Sequence, residues 1–142
     1  MLLKSGLREA FASDPVNLLR LRWLEGKIFA GRGRLAQAER AFREVRRGFL
    51  ARDEEYDAAL VALELAGVWL EQGKAAAVEE LAEEIHEIFW DLGVHREART
   101  AVGYLREACR RQEASPGLVR KIIAFLRRLE WQPQIQFAPS VL

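Results

Sequence analysis

The side chains able to move protons, hold metals or attack carbon are few in this chain, and their spacing serves none of those reactions. His86 opens the stretch His-Glu-Ile-Phe-Trp. A zinc-binding helix needs a second histidine four residues on, where the two imidazoles share a face, and Trp90 stands there instead. His95 lies beside Arg96 near an expected helix start. Neither histidine has a serine, threonine or cysteine three or four residues away, so no nucleophile is paired with a base along a helix. Glu83 and Glu87 share a helical face, as the two carboxylates of general acid–base chemistry would. They belong, however, to a dense run of carboxylates with Glu79, Glu80 and Glu84, which reads as a solvated face. Gly31-Arg-Gly33 has two glycines of a phosphate loop but neither a preceding strand nor a following Gly-Lys-Ser/Thr. The one cysteine, Cys109, falls in an apolar column of the repeat described below, the setting of an inert thiol. The sequence therefore leads us to expect no catalytic residue, no metal site and no cofactor, in a protein that is not an enzyme.

The composition narrows the class further. Of 142 residues, 50% are apolar and 30% charged, which is enough apolar material for one packed domain over residues 1–142 and too much for a disordered chain. A single cysteine excludes an internal disulfide framework and fits a reducing, cytoplasmic setting. Lys4, Arg8 and Glu9 interrupt the first twelve residues, so these lack the uncharged run of a secretory signal. The net charge of +1 hides a strong segregation: residues 1–52 carry +7, residues 53–91 carry −11 and residues 92–142 carry +5. An acidic middle breaks any continuous basic track, which argues against direct nucleic-acid binding. Alternation of sign between neighbouring segments predicts pairing across them, with the remainder solvated. The excess of arginine over lysine, 18 against 4, fits a GC-rich bacterial genome.

The elements that would position these side chains are all helices. Ala, Leu, Glu, Arg and Gln fill long intervals, β-branched residues come singly, and no alternating run appears before the last dozen residues. The pattern predicts seven helices, at 2–12, 16–31, 35–51, 54–72, 75–91, 94–112 and 116–130. Asp14-Pro15 and Ser115-Pro116 each pair an N-cap with a proline at the first helical position. Gly33, Gly73 and Gly93 follow long helical runs, where glycine ends a helix in the left-handed conformation.

Those helices repeat. A shift of 40 residues superposes Phe29, Trp69 and Cys109; Ala38, Val78 and Leu118; Phe42, Ala82 and Ile122; Val45, Ile85 and Phe125; and Phe49, Phe89 and Leu129. Residues 2–12 read as the second helix of a further unit, so the chain opens in mid-repeat, as a fragment of a longer protein would. The small residue at Gly26, aromatic at Phe29, glycine at Gly33, alanine at Ala38 and aromatic at Phe42 resemble the tetratricopeptide repeat. Ala66, Trp69, Gly73, Val78 and Ala82 carry the pattern into a second unit, and a third departs from it at Arg106 and Glu113. A period near 40 resembles the long-repeat form found in sensor and effector regions of bacterial regulators.

The resemblance implies an all-α fold, an α-solenoid of antiparallel helix pairs in a right-handed superhelix, with an extended C-terminal tail. It also implies repeats over 16–51, 54–91 and 94–130, a protein or peptide partner, and a concave groove. Carried over position by position, that groove comprises Arg20, Trp23, Lys27, Leu60, Leu63, Gly67, Leu70, Glu71, Thr100, Gly103, Glu107, Arg110 and Arg111. Helix 54–72 is singular in its own right. Between Ala58 and Leu70 only Glu64 is charged, so the helix is apolar all round and must be covered on more than one side; those thirteen residues are too few to cross a bilayer. Two readings stay open: the helix is buried by its own neighbours, or it lines a groove for a partner helix or extended peptide. The function expected is that of an interaction scaffold, the C-terminal effector or sensor module of a bacterial regulator. The alternative is homo-oligomerisation, to a homodimer, through helix 54–72 and the tail. Residues 131–142, with two prolines and the alternating Ile135 and Phe137, are expected to be extended and either to cap the last helix or to lie in a groove.

Overall fold

The computed structural model describes residues 14–132 together with Ile135 and Phe137. Among these residues the chain forms six α-helices and no strand: α1 (Pro15–Gly31), α2 (Leu35–Ala51), α3 (Glu55–Glu71), α4 (Ala75–Asp91), α5 (Arg96–Arg110) and α6 (Pro116–Leu129). Each bound lies within two residues of the one expected. The first of the seven expected helices, 2–12, lies outside the described residues, so six are described where seven were expected.

The 40-residue repeat resolves into two steps of about 20 residues. Helices α1 to α4 are each 17 residues long. All five connections close in the same way. A residue with positive φ follows each helix: Gly33 at 73°, Asp53 at 58°, Gly73 at 78°, Gly93 at 64° and Gln112 at 60°. The next N–H then reaches back to a carbonyl of the last turn: Arg34 to Phe29 (2.9 Å), Glu54 to Phe49 (2.9 Å), Lys74 to Trp69 (2.8 Å), Val94 to Phe89 (3.2 Å) and Glu113 to Ala108 (2.8 Å). These bonds satisfy carbonyls that the helix itself leaves unpaired, and they reverse the chain within a few residues. The helix starts are less uniform. Asp14 accepts from the N–H groups of Val16 and Asn17, and Ser115 Oγ from that of Leu118. His95, which the sequence marked only as lying near a helix start, caps α5 by accepting the Glu97 N–H at Nδ1 (3.0 Å).

The core follows the 20-residue step. Phe42, Ala62, Ala82, Val102 and Ile122 are buried at one position of successive helices, and Val45, Leu65, Ile85, Leu105 and Phe125 at another. Two of the expected columns need correction. Phe29, Trp69 and Cys109 are only half-buried against the core, and Leu118 gives its place to Val119. The second change is confined to that position, since Ile122, Phe125 and Leu129 keep their expected places, although the left-handed residue of the last connection comes one place early, at Gln112. Gly26 is one of two close approaches of α1 and α2, the other being Gly48 against Leu19: a Cβ at Gly26 would lie 2.7 Å from Phe42 Cε1, inside the contact distance.

Each helix from α2 to α5 packs on the one before it, and α1 touches α3 lightly. The course then breaks. Helix α6 packs chiefly on α3 and only lightly on α5, its neighbour in the chain. Helix α3 is therefore enclosed by α2, α4 and α6, with Ala58, Ala59, Val61, Ala62, Leu63, Leu65, Ala66 and Val68 all buried. Of the two readings of this all-apolar helix, cover by its own neighbours accounts for its inner residues.

Candidate partner-binding cleft

Because α6 crosses over α3 and leaves a gap toward α1, an open cleft remains with α3 as its floor. Its two ends are hollows of about 260 and 420 Å³ that meet at Lys27. The first lies among Lys27, Ala30 and Gly31 of α1, Glu64, Gly67, Val68 and Glu71 of α3, and Pro116, Val119, Arg120 and Ile123 of α6. The second lies among Arg20, Trp23, Leu24 and Lys27 of α1, Asp57 and Leu60 of α3, Arg127 of α6 and Glu130 just beyond its end. Gly67 faces Val119 of α6, where an added Cβ would meet Cγ1 at 3.5 Å, an ordinary contact distance.

The charges of the cleft sit at the joint between the hollows. Glu64, the one charged residue in the apolar stretch of α3, lies between Lys27 on one wall and Arg127 on the other, with the Arg127 Nη2 at 4.0 Å. Burial raises the Glu64 pKa, against the pull of the two cations. Burial and the Arg127 charge lower that of Lys27, whose ammonium also lies 4.9 Å from the Trp23 ring centroid. Arg120 reaches Glu71 at 3.9 Å farther along the same seam. At the far end, burial and the neighbouring Glu54 raise the Asp57 pKa, while Arg20 opposes them. The cleft thus has a floor on which the α3 carboxylates Asp57, Glu64 and Glu71 alternate with Leu60, Gly67 and Val68, between walls that carry Arg20, Lys27, Arg120 and Arg127. Such a surface can hold a side chain or a short peptide segment by apolar contact and orient it by charge.

Six of the residues expected in a groove do meet here: Arg20, Trp23, Lys27, Leu60, Gly67 and Glu71. The others do not. Leu63 is fully buried beneath the floor, and Leu70 packs against the core at its margin. Gly103 and Thr100 of α5 face a separate crevice with His86, Trp90, Arg96 and Arg99. Glu107, Arg110 and Arg111 are taken up in ion pairs with one another and, through Arg110, with Glu83 of α4. The reason is topological: a regular stack would place α5 beside α3, whereas here α6 lies on α3 and supplies the second wall. Arg120, Ile123, Arg127 and Glu130 were consequently missed, and no residue type in the sequence announces that α6 takes this place.

The expected pairing between oppositely charged segments is present. Arg46 of α2 reaches Glu84 of α4 at 2.7 Å, and Lys74 reaches Glu39 at 3.2 Å. Arg106 approaches Glu83 at 3.4 Å and His86 Nδ1 at 3.3 Å. Of the tail, Ile135 and Phe137 are described. The Phe137 ring lies between Tyr104 of α5 and Phe125 of α6, with centroids 5.6 and 5.2 Å away, and its N–H donates to Glu97 at 3.2 Å. Phe137 thus packs on the α5–α6 pair and Ile135 against the core, and neither of the two lines the cleft.

Among the described residues no three His, Cys, Asp or Glu side chains are grouped so as to hold a metal ion, and no helix is long and apolar enough to cross a membrane. No protein-family model, curated protein or solved structure matches the chain.

Proposed function

We propose that this chain is a non-enzymatic interaction scaffold of the tetratricopeptide type, a right-handed helical solenoid over α1 to α5, that binds a protein segment in the cleft above α3. One observation carries the reading: α3 accommodates a helix, α6, on part of its width and on the rest, beside α1, leaves Leu60 and Gly67 open among the carboxylates of Asp57, Glu64 and Glu71. A partner helix or extended peptide with an apolar edge and charges of both signs fits the remaining strip. The resemblance of the repeats to sensor and effector regions supports a place in a bacterial, cytoplasmic regulator, where such a cleft would read the state of a partner protein.

The test is selection of peptides from a displayed library against the full chain, followed by binding of the enriched sequences to two cleft variants. Leu24→Arg and Ile123→Arg change an exposed and a half-buried wall residue, so the fold tolerates them. We expect each to weaken binding at least about tenfold, the scale of one lost apolar anchor. Enriched peptides that bind both variants as well as the parent would overturn the assignment.

A further inference from the structure

The outward faces of α2 and α4 are copies of one another with the sign of the charge reversed. Arg40, Arg43 and Arg47 descend α2, and 40 residues on, at the same repeat positions, Glu80, Glu83 and Glu87 descend α4. Below them the exposed Leu50 is matched by Trp90, which is 63% exposed. On α2 the stripe lies opposite the buried edge formed by Ala38, Phe42, Val45 and Phe49, and so points straight outward. Arg40, Arg47, Glu80 and Glu87 form no ion pair among the described residues, although their neighbours Arg46 and Glu84 join the two helices at 2.7 Å. The basic and acidic faces are therefore side by side, and two chain reversals make α2 and α4 run the same way.

We propose that this two-helix face is self-complementary and docks a second copy of the chain, α2 of each copy lying over α4 of the other. A two-fold axis running parallel to the helices, between α2 and α4, sets Arg40 against Glu80 of the second copy and Arg47 against its Glu87. Each contact is made twice, which is the self-complementarity a closed dimer requires. The register needs no adjustment, because both charged pairs are seven residues apart, about 10.5 Å along the helix. A uniformly acidic partner such as a nucleic acid would meet attraction on α2 and repulsion on α4, so the mixed face favours a partner equally mixed. The proposal uses neither the cleft nor α6 and stands apart from the function proposed above.

Sedimentation equilibrium of the full chain tests it. The parent should form a dimer at low ionic strength whose dissociation constant rises at least about tenfold between about 20 mM and 0.5 M salt, as screening shortens the reach of exposed charges. Arg40→Glu with Arg47→Glu should give a monomer, and so should Glu80→Arg with Glu87→Arg, each with the circular dichroism of the parent. An equimolar mixture of the two should dimerise again, because every facing pair is then opposite in sign. The milder Arg40→Gln with Arg47→Gln should weaken the dimer without repulsion. A monomeric parent at low salt, a dimer insensitive to salt, or folded reversal variants that fail to recombine would each overturn the proposal.

Discussion

Single side chains in this protein are governed by burial more than by chemistry. Burial raises the Cys109 thiol pKa, and the carboxylate of Glu79 adds to the effect. The reactive thiolate is scarce in consequence, and alkylation by iodoacetamide near neutral pH should run several-fold slower than for a free cysteine, recovering as pH rises. His86 is displaced in the opposite sense: burial first, then the guanidiniums of Arg106 and Arg99, lower its pKa, while Glu83 and Glu87 oppose them. The folded state then binds its proton less readily than the unfolded chain does. Its contribution to stability is present above the ordinary histidine value of about 6.5 and is lost as pH falls through the folded-state value. Melting temperatures measured from pH 7.5 down to 5 should decline, and the part of the decline due to this residue should vanish in His86→Gln. An unchanged pH profile in that variant would refute the assignment.

At the scale of elements, the turns are where sequence and structure diverge in an instructive way. Glycine marked three of the five reversals, whereas Asp53 and Gln112 adopt the same left-handed conformation with no residue type to announce it. Packing of the flanking helices imposes that conformation, at an energetic disadvantage an L-residue with a Cβ must bear. Replacing Gln112 by glycine should therefore stabilise the protein by about 1 kcal/mol, read from urea denaturation. Gly73→Ala should cost a similar amount. Gly26 belongs to a different mechanism: a methyl group there runs into the buried ring of Phe42, and Gly26→Ala should destabilise by about 1 to 3 kcal/mol, typical of an overpacked core. The helices themselves were legible because each carries at least one of three signals: a proline cap on α1 and α6, a glycine stop after α1, α3 and α4, or a 3.6-residue periodicity, as in α2 and α5. Half of the cleft was legible too, from α1 and α3, where the repeat is regular. Its α6 wall was hidden, because a repeat carried forward in register places α5 where the chain in fact places α6.

For the molecule as a whole, α3 is the axis around which everything else is arranged. Leu63 at its centre is fully buried, so Leu63→Arg should abolish cooperative unfolding altogether, whereas the exposed Leu24→Arg on the cleft wall should leave it intact. The charge segregation of the sequence has a visible outcome at this scale, since the basic and acidic blocks lie on adjacent helices tied by Arg46 and Glu84. The placement of α6 reaches further, into the order in which the chain assembles. Contacts from α1 through α5 join helices adjacent in sequence or one step apart, closures that cost little entropy and form early. The α3–α6 contact instead encloses all of α4 and α5 in its loop, and that longer search is repaid only after the earlier helices have supplied a surface to land on. Truncating Ile122 or Leu126 to alanine should accordingly speed unfolding while leaving the refolding rate almost unchanged, a φ-value near zero, whereas Phe42→Ala should slow refolding. In kinetic terms α6 is the latch that closes last and opens first.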